Sequence, residues 1–170
     1  ERTYTVAWGQ HAVERVRQLF AQALGYALPE SVGDYGLNRA AMAGDVSAEP
    51  YVLFLHGTTW ASKHWPESDW RALAEHLDRR GLAVRLPWGS EVEKARAERI
   101  VAGLKHARVA PKLNLRGVAA LIAGARACVA VDTGLGHLAA ALDVPSISLY
   151  GPTLPAKVGA VHEKQNALCA

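Results

Sequence analysis

Apolar residues along this chain recur in two rhythms. Between Gln10 and Leu24, the residues Val13, Val16, Leu19, Phe20, Ala23 and Leu24 fall at three- and four-residue spacing. That spacing predicts an amphipathic helix, and Gly25 is a natural stop for it. From Pro50 onward, short apolar runs alternate with helical patterns. Residues 51–55, 82–86, 108–110, 127–131 and 146–150 read as strands. Helices are expected from Pro66, with Trp70, Leu73 and Leu77 facing inward, and over 91–104 after Pro87-Trp88-Gly89-Ser90. Two more are expected over 115–124, capped by Asn114, and over the alanine-rich stretch 138–142. Five strands with helices between them predict an α/β fold: a Rossmann-like parallel sheet with helices on both faces. Ligands of such sheets bind at the carboxyl ends of the strands.

The chain divides into a lead-in over residues 1–49 and the Rossmann-like domain over 50–170. After the first helix the lead-in carries Gly33, Gly36 and Gly44 with little periodicity, as a connecting segment or irregular lid would. The helix side bearing Arg15 and Arg17 is read as solvated, with contact to a membrane surface as the alternative. Because the chain opens on Glu1 and closes soon after an expected loop, we expect it to be part of something longer.

Three carboxyl-end loops hold the candidate chemistry. In the first, His56-Gly57-Thr58-Thr59-Trp60-Ala61-Ser62-Lys63, two hydroxyls suit phosphate oxygens and the lysine can neutralise a leaving diphosphate. A plain polar loop with a solvated lysine is the alternative. The second loop puts Glu91 at a helix start, as a ribose acceptor or simply a complement to the helix dipole. The third, Asp132-Thr133-Gly134-Leu135-Gly136-His137, follows a buried strand and opens a helix. It is either an anion site built from free amides or an ordinary turn capped by Asp132 or Thr133. His137 faces the phosphates in one reading and is a structural histidine in the other. A metal pair of Asp132 and His137 has no third ligand nearby. The Walker spacing, a G-x-G-x-x-G after the first strand and a G-x-S-x-G elbow are all missing, which argues against P-loop, dehydrogenase and serine-hydrolase chemistry.

Composition narrows the class further. A formal net charge of +3 and a pI near 9.0 come with both signs interspersed, leaving no basic block that would read as a nucleic-acid footprint. Two cysteines, Cys128 and Cys169, make no disulfide framework and fit a reducing, cytoplasmic compartment. No stretch approaches the roughly 18–20 apolar residues of a membrane span.

Taken together, YVLFLHGTTWASKHWP, LPWGSE, PKLNLRGVA, VDTGLGHLAAAL and LYGPT resemble, in the same order, the ADP-heptose glycosyltransferases of the two-domain GT-B fold. The resemblance covers residues 50 to about 153 and more loosely the first helix. It implies that this chain is the C-terminal, donor-binding half, without the N-terminal acceptor domain. Thr58, Thr59 and Lys63 would then meet the diphosphate and sugar, Glu91 the ribose, and Leu113 the adenine. Asp132, Thr133, Gly134, Leu135 and His137 would hold the phosphates and heptose. Gly136 departs from a family position that often carries Ser, and is expected to loosen the first helical turn slightly. The implied reaction transfers L-glycero-D-manno-heptose, with inversion, from ADP-heptose to the Kdo region of the lipopolysaccharide inner core. It needs no cofactor and no essential metal. A Kdo-lipid A acceptor would come through the other domain, which also supplies the general base, and the protein would touch the inner membrane peripherally. A heptosyltransferase acting later in the core, or a non-catalytic ADP-binding module, is the alternative.

Overall fold

The computed structural model describes residues 2–31, 33–43 and 49–170. The lead-in holds helices α1 (Ala12–Leu24) and α2 (Arg39–Ala43); Gly44, expected in its connecting segment, lies outside the described residues. Strand and helix then alternate through β1 (Tyr51–Leu55), α3 (Glu67–Asp78), β2 (Ala83–Leu86), α4 (Glu91–Val101) and β3 (Ala107–Val109). The order continues through α5 (Leu115–Gly124), β4 (Ala127–Val131), α6 (Gly134–Ala141), β5 (Ser146–Tyr150), α7 (Pro155–Val158) and β6 (Gln165–Cys169). All strand pairs are parallel, and the sheet order is β3-β2-β1-β4-β5-β6. This is the Rossmann-like arrangement expected, with one strand more. The sixth strand, Gln-Asn-Ala-Leu-Cys, is an exposed edge that begins on polar residues, so it lacks the buried apolar run that announces the others.

Side chains of alternate strand residues feed two cores, one on each face of the sheet. Leu53, Leu55, Cys128 and Ala130 meet Val118, Ile122, Ala139 and Leu142 on the side of α5 and α6. Phe54, Val84, Leu86 and Val131 meet Trp70, Ala74, Ala97 and Ile100 on the side of α3 and α4. Trp70 is fully buried, with Phe54 at 4.9 Å and the edge of Trp65 at 5.1 Å between ring centroids, as its place on the predicted helix face requires.

The apolar stripe of α1 is not covered by the described residues: Val16, Phe20 and Leu24 are 52%, 53% and 69% exposed, and Ala21 is the buried position of this helix. Periodicity correctly gave the helix, but amphipathy says only that a face seeks cover. Arg15 stacks on Trp8 at 4.0 Å, and Arg17 donates to the carbonyls of Pro29 and Ser31. The described part of the connecting segment is tied to the domain. Arg39 donates to the carbonyls of Ala123 at 2.8 Å, Ala125 at 2.7 Å and Asp143 at 3.1 Å, while Met42 and Ala43 pack on the core.

Candidate functional site

The sheet order reverses between β1 and β4, and a crevice opens where their following loops part. The cavity there measures about 510 Å³. Thr58, Thr59 and Lys63 line it from the loop after β1, and Leu113 from the approach to α5. Asp132, Thr133, Gly134, Leu135 and His137 line it from the turn after β4. One predicted residue stays outside: Glu91, whose 78%-exposed side chain points toward Lys94 at 3.9 Å.

The acid on the cavity wall is instead Glu93. Ser90 and Glu93 form a capping box at the start of α4. Ser90 Oγ accepts from the Glu93 amide, and Glu93 Oε2 accepts from the amides of Gly89 at 2.7 Å and Ser90 at 3.1 Å. This folds the Glu93 carboxylate back over the end of β2. Its Oε1 lies so close to the β1 loop that a Cβ on Gly57 would collide with it, so glycine fits there. The sequence carries the signal in Ser90-x-x-Glu93, a spacing that Glu91 does not satisfy. The same loop is held from its other side by Trp88, whose indole donates to Ala110 O at 2.8 Å, and by Lys112, which bonds Gly89 O and lies 4.3 Å over the Trp88 ring.

Two loops lock across the crevice. Lys63 Nζ lies 2.7 Å from Asp132 Oδ2, and Thr58 Oγ1 donates to the Asp132 carbonyl at 3.1 Å. Thr153, beyond β5, donates to the same Asp132 Oδ2 at 2.6 Å, adding a fourth loop that sequence reading had not placed in the site. Burial would raise the Asp132 pKa. The Lys63 and Thr153 hydrogen bonds, with the Lys63 and His137 charges, outweigh it and hold the carboxyl below its usual range. Asp132 is therefore a charged, oriented acceptor at neutral pH.

With Asp132 turned toward Lys63, it does not cap α6. Thr133 occupies the N-cap with extended backbone (φ −149°, ψ 155°) and makes no side-chain cap bond either. Thr133 thus holds the cap position by its backbone alone, and neither its side chain nor that of Asp132 satisfies an amide of the first turn. Gly134 and Leu135, in the first turn of α6 where helix amides lack intrahelical partners, line the cavity at the positive end of the helix, an arrangement that suits an anion. Gly136 is buried in that helix, and a Cβ there would meet Ala130 Cβ at 3.5 Å and Ser148 Oγ at 3.8 Å, ordinary contacts.

Beneath the first loop, His56 is buried beside Trp70, the two rings near perpendicular with centroids 6.5 Å apart. Burial, helped by the Arg96 charge, pushes its pKa down to about 4 against the pull of Glu93 and the Pro87 backbone. Its neighbour His64 accepts at Nδ1 from Arg96 Nη1 at 2.6 Å, which fixes that nitrogen as unprotonated. Both histidines are neutral supports of the loop. Among the described residues no three His, Cys, Asp or Glu gather as a metal site, and no helix is long and apolar enough to cross a membrane. Cys128 is buried and Cys169 exposed, both as free thiols.

A 3-2-1-4-5-6 parallel sheet with an uncapped helix start and a lysine facing it across the switch point defines a Rossmann-type domain equipped for an anionic ligand. The chain belongs to glycosyltransferase family 9 (heptosyltransferase), whose signature spans residues 1–170. It is 65% identical over 164 residues to lipopolysaccharide heptosyltransferase 1 of Pseudomonas aeruginosa, covering 96% of this chain and 46% of that protein. It is 46% identical over 170 residues to the Salmonella typhimurium protein of the same name, covering 99% of this chain and 54% of that one. The solved structure of E. coli heptosyltransferase WaaC with ADP superposes with a TM-score of 0.90 at 44% identity, over 99% of this chain and 53% of its own. The chain thus spans about half the length of the relatives it matches.

Proposed function

We propose that this chain forms the donor-binding half of an inverting heptosyltransferase. The whole enzyme would move L-glycero-D-manno-heptose from ADP-heptose to the Kdo region of the lipopolysaccharide inner core. The observation that carries the reading is the 2.7 Å Lys63–Asp132 pair facing uncapped amides at the sheet's switch point. In this reading Leu113 borders the adenine, and Glu93, in place of Glu91, takes the ribose hydroxyls. Gly134 and Leu135 offer amides to the diphosphate, with Thr58 and Thr59 adding hydroxyls. Lys63 swings from Asp132 to the bridging region and stabilises negative charge as ADP departs. Asp132 and His137 then face the sugar.

Inversion requires a base on the acceptor hydroxyl. In this reading that base belongs to the other half of the longer enzyme, with the Kdo-lipid A acceptor, at the cytoplasmic face of the inner membrane. We propose no metal in this chemistry, because Lys63 and the helix amides supply the positive field. The relatives named heptosyltransferase 1 favour the first heptose of the core over a later one.

Calorimetric titration with ADP tests the reading. Saturable binding by the wild type, with ADP weakened about tenfold or more by Lys63→Ala and ADP-heptose weakened about tenfold or more by Asp132→Ala, supports it. A folded wild-type chain that shows no heat with ADP or ADP-heptose would sink it.

A further inference from the structure

We infer that Thr153 is the positioning residue that aims the Asp132 carboxylate at a hydroxyl of the donor's sugar. The inference rests on the donor-site reading above. Thr153 sits in the Gly151-Pro152-Thr153 turn after β5, far along the chain from the loops that carry the nucleotide residues. Sheet order alone brings it to the crevice, because β5 is the neighbour of β4. The turn also lies against the first loop, where a Cβ on Gly151 would stand 3.6 Å from the Ser62 carbonyl.

The geometry at Asp132 is asymmetric. Lys63 Nζ at 2.7 Å and Thr153 Oγ1 at 2.6 Å converge on one oxygen, Oδ2. Among the described residues no further hydrogen bond reaches Oδ1. A carboxylate with one oxygen saturated by the protein presents the other as its remaining acceptor, and Asp132 is on the cavity wall. The two holders of Oδ2 differ in what happens when donor arrives. Lys63 is long, cationic and drawn toward the diphosphate. The Thr153 hydroxyl is neutral and sits on a short side chain just after β5, so it has no such pull away from the carboxylate. After the lysine leaves, Thr153 is the group that keeps the carboxylate from rotating, and its hydrogen bond favours the ionised form.

The test compares ADP with ADP-heptose, since a group acting through the sugar discriminates between them. The wild type is expected to bind ADP-heptose more tightly than ADP. Thr153→Val should weaken ADP-heptose about five- to tenfold while changing ADP less than about twofold, and Thr153→Ser should restore the preference. The Asp132 carboxyl, followed by ¹³C NMR through a pH titration, should titrate at higher pH in the valine variant and return in the serine variant. A merely structural threonine would not produce that pattern. Should the valine variant not fold, Thr153→Ala carries the same comparison. A wild type that binds ADP and ADP-heptose equally overturns the inference, as does a valine variant that keeps the preference or loses both ligands in parallel. If the wild type binds neither ligand, the donor-site reading falls and takes this inference with it. If the wild type prefers ADP-heptose and only the valine result disagrees, Thr153 alone is misassigned.

Discussion

Acidification should destabilise this domain through His56, and the effect can be sized. Its folded pKa of about 4 lies below the ordinary 6.5 that it regains on unfolding. As pH falls, the unfolded chain takes up the proton first, so the histidine's contribution to stability is complete above pH 6.5. It drains between 6.5 and 4 and is constant below. A gap of about 2.5 units corresponds to about 3 kcal/mol in total, of which about 2.5 kcal/mol is gone by pH 4.5. For a chain of this size that is a fall in Tm of roughly 5–10 °C. His56→Phe keeps an aromatic ring against Trp70 and cannot titrate. Urea unfolding of both proteins at pH 7.5 and 4.5 isolates the term as the difference between their two pH losses. His64, shifted in the same direction by burial and Arg96, leaves a residual slope in the variant. If His56→Phe loses as much stability on acidification as the wild type, the buried, neutral histidine is not the acid-sensitive element.

Substitutions elsewhere test the packing and the site. Glu93→Gln should weaken ADP about tenfold, whereas Glu91→Gln should change it less than about twofold; equal calorimetric effects would show that the capping-box acid does not face the ribose. Gly136→Ala should raise stability by about 0.5–1 kcal/mol in denaturant melts, since a helical glycine is replaced where the Cβ has room. Trp70→Ala should cost about 3–5 kcal/mol by emptying one face of the sheet, and a loss below 1 kcal/mol would contradict its full burial.

The parts legible in the sequence were those whose signal is local. The strand 127–131 announces itself as an unbroken apolar run, and the Asp-Thr-Gly turn after it as the start of a helix. Asn114 could be read as a cap because its partner, the Gly117 amide, is three residues away. Glu91 and Glu93 were harder to tell apart, because both are acids in the first turn of α4 and the Ser90-x-x-Glu93 spacing that separates them announces a capping box, not a side chain turned to the crevice. Thr153 was quoted in a motif yet given no task, since its partner is Asp132, a neighbour through the sheet and not through the chain. The strand Gln165–Cys169 was missed because an edge strand needs only one buried flank.

The grip of Arg39 has an electrostatic consequence for the crevice. Its guanidinium sits on carbonyls at or just past the C-terminal ends of α5 and α6, where a helix macrodipole is negative. The opposite ends of the same two helices open toward the cavity, near Leu113 and at Gly134. A fixed cation therefore cancels the negative poles on the far side of the domain, while at the near side α5 is capped by Asn114 and α6 has no side-chain cap. On a bound anion α6 then acts less like a dipole, whose field dies quickly with distance, and more like a partial positive charge.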